Sequence, residues 1–178
     1  MTRATLTDTL LAALVAVIGL AACTPTLNWR EIQPEGSELF AMFPCKPERF
    51  ARSVPLAGAR VEMRMSSCVV DGATFAVAYA SVAEPGQVTP AITALRTAAA
   101  GNIGGVASEM GPASVPGMTP NPLASRVTIK GRGADGGILE EQVVFFVKGL
   151  RVYQASIVGP KVDGEAADTF VTGLRIAS

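Results

Sequence analysis

The 178-residue chain contains no histidine. That absence removes the side chain that most often acts as general base and as transition-metal ligand, so neither a Ser-His-Asp nor a Cys-His arrangement can be assembled. Cysteine is scarce as well. Beside Cys23 there are only Cys45 and Cys68, and two thiols without an imidazole do not make a zinc site of the usual type. An excess of one charge is also lacking, with 15 basic against 15 acidic residues. No basic block tracks a phosphate backbone and no basic amphipathic helix suits lipid headgroups, so nucleic acid is not an expected partner. No cofactor, metal or catalytic residue is expected, and the chain does not read as an enzyme. A long hydrophobic run is missing too: the apolar stretch from about Leu10 to Leu20 has about a dozen residues, whereas a spanning helix needs roughly 20.

What is present begins with that stretch. Met1-Thr2-Arg3 supplies a short positive region, the apolar run follows, and the small residues Ala21 and Ala22 fit a cleavage site. The tetrapeptide Leu20-Ala21-Ala22-Cys23 resembles the lipobox of a bacterial lipoprotein signal peptide. The resemblance implies that Cys23 becomes the first mature residue and carries a diacylglycerol, usually with an acylated amine. One acyl chain binds a membrane marginally, and two or three anchor it. Thr24 after the cysteine resembles an outer-membrane address facing the periplasm. The alternatives are an ordinary signal peptide with a chance cysteine, or an uncleaved anchor helix. Residues 1–22 are thus read as signal peptide, 23–28 as tether and 29–178 as one domain, long enough for a single core.

In the oxidising compartment implied by that signal, Cys45 and Cys68 read as a disulfide. Free buried thiols and a redox pair are the rivals. Redox pairs usually come as Cys-x-x-Cys, and these two are far apart.

Along the chain, Leu27 to Ile32 alternates as a first strand, and Leu39 to Phe43 is a buried strand ended by Pro44. Phe50 to Leu56, Arg60 to Cys68 and Thr74 to Ser81 form successive hairpins, turning at Ala57-Gly58 and Asp71-Gly72. Thr89 is placed as N-cap and Pro90 as first residue of a helix to Ile103, with Ile92, Leu95, Ala99 and Ile103 as its apolar stripe. Val106 to Pro122 reads as a long irregular connection holding one short strand near Val106 to Glu109. Strands follow at Ala124 to Lys130, Ile138 to Val147 and Arg151 to Val158. Asp163 caps a last helix from Gly164 to Thr172, which Phe170 and Leu174 dock on the sheet. This order of strands, helix, strands and helix predicts an α+β fold, an antiparallel sheet flanked by two helices.

Three features in this order are similar to bacterial envelope domains of the PsbP/Mog1 type. They are Phe43-Pro44 followed by Pro47, Tyr79 before the Pro85-bounded helix, and Arg151-Val152-Tyr153 leading to a terminal helix with Phe170. The resemblance implies an antiparallel sheet flanked by helices and a role in binding partners or assisting assembly. It carries over no catalytic residue. Cys45, between the two prolines, departs from the pattern.

Other candidates have plain explanations. Gly131 to Gly137 is a flexible hairpin, because it lacks the Gly-Lys-Ser/Thr ending of a phosphate loop and leads into no helix. Glu140 and Glu141 point to opposite faces of a strand and read as outward or edge charges. Met42, Met63 and Met65 hint at soft-metal binding but read as core. Trp29 packs on the sheet edge or meets the membrane interface. Arg60, Glu62 and Arg64 share one strand face, with Arg52 across the turn, and form the candidate contact face. The leading expectation is therefore a lipid-anchored envelope protein that binds another envelope protein or supports its assembly. The alternative is a small-ligand module with a closed pocket between the first helix and the sheet, and a hydrolytic enzyme ranks last.

Overall fold

A computed structural model describes residues 27–177. The signal segment, Cys23 and most of the tether lie outside the described residues.

The described chain contains ten strands and two α-helices. The strands are β1 (Arg30–Ile32), β2 (Leu39–Phe43), β3 (Glu48–Leu56), β4 (Ala59–Val70), β5 (Ala73–Ser81), β6 (Val106–Pro112), β7 (Ser125–Arg132), β8 (Ile138–Lys148), β9 (Arg151–Gly159) and β10 (Arg175–Ile176). The helices are α1 (Val88–Asn102) and α2 (Gly164–Thr172). Seven strands form one antiparallel sheet in the order β3-β4-β5-β9-β8-β7-β6, and β1-β2-β10 form a small second sheet. The fold is α+β, as the order of elements predicts.

Turn chemistry sets the register. Ala57 and Gly58 have φ of 50° and 80°, and Asp71 and Gly72 have φ of 51° and 75°. Two consecutive left-handed residues make a two-residue turn whose twist matches the strands it joins. Leu56 therefore faces Ala59, and Val70 faces Ala73. From there every pair is determined along β3-β4-β5.

The large sheet has a core on each face. On one face α1 buries Val88, Ala91, Ile92, Leu95 and Ala99 against Leu56, Ala80, Val127, Ile129, Val143, Phe145 and Val152. On the other, Phe75, Val77, Tyr79, Phe146 and Tyr153 meet the small sheet (Leu39, Ala41, Phe43) and α2 (Ala167, Phe170). Trp29 joins that second core, its ring edge-on to Phe75 at 6.0 Å.

Several boundaries depart from the sequence reading. The turn of 3₁₀ helix Pro85–Gln87 precedes α1, and the Gln87 side-chain oxygen accepts from the amides of Ala83 and Glu84. The chain is thus already wound before Thr89, so Thr89 is not the cap and Pro90 is the third helical residue. Its missing N–H is harmless there, because first-turn amides have no intrahelical partner. Strand β6 runs on to Pro112 through a bulge between Glu109 and Gly111. Nothing in the sequence marks strand β10: two residues are too few to alternate, and it exists because β2 offers it an edge. Asp163 caps α2 as expected, its carboxylate accepting from the Ala166 amide at 2.9 Å.

At the end of α1 the backbone of β7 comes close. The Arg132 amide donates to the Ile103 carbonyl at 2.7 Å, and a Cβ on Gly131 would run into that same carbonyl oxygen. Gly131→Ala should therefore destabilise the fold by about 1–3 kcal/mol through overpacking against rigid backbone. A chemical-denaturation midpoint reads the effect. An unchanged midpoint would mean that α1 and β7 separate freely at this point.

Candidate functional site

The sequence-predicted contact face lies on β4, the second strand of the large sheet. Arg60, Glu62 and Arg64 share the face that carries the small sheet, since Tyr79 is paired with Arg64. Arg64 Nε donates to Glu62 Oε1 at 2.6 Å, and that carboxylate raises the arginine's pKa above its ordinary value. Arg60 is exposed near the hairpin end, facing Pro55.

Arg52 does not join them. The two-residue turn pairs even-numbered positions of β3 with odd-numbered positions of β4, so Arg52 faces Met63 on the opposite side of the sheet. The residue across from Glu62 is Ser53, and the one across from Arg64 is Ala51.

The turn between β1 and β2 leans over this face. The Tyr79 hydroxyl donates to the Glu35 carbonyl, and the Arg64 guanidinium lies against Gly36. A cleft of about 330 Å³ opens beside this turn, lined by Gly36, Glu62, Arg64, Tyr79, Ser81 and Arg151. Arg151 enters from β9, its guanidinium 5.4 Å from the Tyr79 ring centroid and 3.9 Å from Glu38. Burial raises the Tyr79 pKa, and Arg64 and Arg151 oppose that shift. On the other side of the turn Arg49 reaches Glu35 at 3.4 Å. Each arginine of the cleft stands beside a carboxylate, so the surface carries alternating charge with little net sign. The sequence does not single out Tyr79 or Arg151 as contact residues. Strand parity places Tyr79 on this face, but only the β5-β9 pairing brings Arg151 there.

The other candidates fall elsewhere. Cys45 and Cys68 have Cα atoms 6.0 Å apart and are placed as a disulfide pair. Met63 and Met65 lie on β4, whereas Met42 lies on β2 in the small sheet against Gly173. The three methionines form no cluster and are only half-buried. The Gly133 amide donates to Gly137 and the Gly136 amide to Gly133, closing the glycine-rich segment as a hairpin turn. Among the described residues no three His, Cys, Asp or Glu side chains gather as a metal site.

Glu141 overturns the expectation of outward carboxylates. It is buried between Ile129 and Val158, in line with Val143, Phe145 and Val147 on the α1 side of the sheet. The same alternation that marks those three as core marks Glu141, a signal present in the sequence. Burial raises its pKa from 4.5 to about 7, opposed by a hydrogen bond with Ser156. The folded state therefore holds this proton more tightly than the unfolded chain. Stability contributed by the neutral acid is complete below about pH 4.5 and is lost as pH rises through about 7. Glu141→Gln, neutral throughout, should flatten the pH dependence of unfolding across that window and raise the melting temperature at pH 8. Parallel pH profiles for variant and wild type would reject this.

Comparison of the chain with protein-family models, with curated proteins and with solved structures finds no match in any of the three.

Proposed function

We propose that this chain is a bacterial envelope lipoprotein, anchored through Cys23 and facing the periplasm from the outer membrane, whose PsbP/Mog1-like domain docks another envelope protein. The observation that carries the docking reading is the cleft beside the β1-β2 turn, where Glu62, Arg64, Tyr79 and Arg151 come together from three strands. Its charges alternate in sign, a pattern suited to a polar protein surface more than to a lone anion. The rival ligand-binding reading expects a closed pocket between α1 and the sheet. That space is filled by the side chains of Ile92, Leu95, Val143 and Phe145.

Two measurements test the proposal. Cys23→Ser should move the protein from the membrane to the soluble fraction, and retention in the membrane would sink the anchor. Cross-linking in intact cells should capture an envelope protein with the wild-type chain. That capture should fall at least about tenfold when Arg60 and Arg64 are reversed in charge. Equal capture by the reversed variant would remove this face from the interaction.

A further inference from the structure

We propose that the free edge of β3 pairs antiparallel with the same strand of a second copy, about a two-fold axis through Phe50. In the large sheet β3 is an outermost strand. It pairs with β4 over nine residues without a register shift, and Glu48 through Ser53 are all exposed. The opposite edge, β6, is broken by its bulge and ends in Pro112, devices that disfavour further pairing.

The hairpin determines which backbone groups remain free. Leu56 and Ala59 close the two-residue turn as a hydrogen-bonded pair, and alternation from there directs the amides and carbonyls of Arg49, Ala51 and Ser53 outward. Pro55 occupies the next outward position, where its missing N–H breaks no bond within the sheet.

An isologous pair must match outward residue to outward residue, so the axis falls on a single position. Centred on Phe50, Arg49 bonds Ala51 of the second copy, and Phe50 meets its own counterpart at a site where side chains approach closely. Glu48 then stands opposite Arg52 of the second copy, and Arg52 opposite its Glu48. Glu48, Phe50 and Arg52 all lie on one face of the strand, so two ion pairs flank one aromatic contact. Shifting the axis to Arg49 or Arg52 would set arginine against arginine. Centring it on Ala51 leaves Glu48 opposite Val54. Phe50 is 48% exposed within one chain and lines a cleft of about 200 Å³ with Arg52, Met63 and Met65. This apolar patch is one that the second copy's Phe50 would cover. The pairing continues the seven-stranded sheet across the axis, and its Phe50 contact and two ion pairs lie on the face opposite Arg60, Glu62 and Arg64. It does not depend on that docking reading.

The test is the mass of the full-length chain, extracted in mild detergent, by sedimentation equilibrium up to about 100 μM. Wild type should sediment as two chains. Glu48→Arg and Arg52→Glu should each weaken association roughly tenfold or more, since each makes two like-charged pairs, and the double variant should restore it. Phe50→Cys should form an intermolecular disulfide on mild oxidation, and Val54→Cys should not. A wild-type mass of one chain, a dimer indifferent to both single reversals, or a double variant that fails to recover would overturn the proposal. Equal linking at positions 50 and 54 would overturn the register.

Discussion

Phe170→Ala should destabilise the fold by about 3–5 kcal/mol, the range for truncating a fully buried aromatic side chain. Phe170 is 0% exposed and belongs to α2. Its ring meets Phe43 of β2 at 5.6 Å and Phe75 of β5 at 5.4 Å, both edge-on. One ring thus joins the last helix, the small sheet and the large sheet. Its loss leaves a cavity bounded by three elements that cannot all close on it. For a domain of this size each kcal/mol lowers the melting temperature by roughly 2–4 °C, so a fall of about 6–20 °C is expected. Val171→Ala, one residue along and only half-buried, should fall by far less. Equal melting temperatures for Phe170→Ala and wild type would show that α2 does not depend on this contact.

Reduction of the Cys45–Cys68 pair should have the next largest effect. Cys45 lies just past β2, and Cys68 lies on β4 of the large sheet. The cross-link spans 23 residues in sequence, which in the chain-entropy model amounts to about 3 kcal/mol. Without it, the small sheet is held on the large one by packing, by the β1-β2 turn contacts and by the bond from the Ile176 amide to the Pro116 carbonyl. Calorimetry with and without reductant should therefore show a melting temperature lower by about 6–12 °C in the reduced protein. Alkylation should add mass at Cys45 and Cys68 only after reduction. An identical melt, or alkylation of Cys45 and Cys68 without prior reduction, would leave these two cysteines as free thiols.

Much of this architecture is legible in the residues. Asp71-Gly72 favours the two-residue turn observed, and Gly58 lets Ala57-Gly58 take the same form with both residues left-handed, so the β3-β4-β5 meander is legible from local chemistry. The stripe Ile92, Leu95, Ala99 and Ile103 repeats at helical spacing and is buried. Asp163 stands three residues before the amide that it caps. Each of these is a short-range effect, decided within a few residues of chain.

Long-range placement is another matter. Arg52 is not such a case, because the local Ala57-Gly58 turn already sets the hairpin parity that sends it to the face opposite Glu62. Thr89 has the chemistry of a cap but lost the position to a preceding turn that Gln87 stabilises. Glu141 alternates with the core, yet its burial and raised pKa depend on β7 and β9 lying on either side of it. Arg151 enters the cleft from a strand 70 residues beyond Ser81, the residue it faces and to which it donates a hydrogen bond. The sequence by itself determined turns, strand faces, helix stripes and the α+β class, because those depend on backbone sterics and on side-chain periodicity. Which faces meet, which charges share a cleft, and which strand edge stays open were decided by tertiary structure alone. Those features arise from pairing between segments far apart in the chain, and no local preference encodes that pairing.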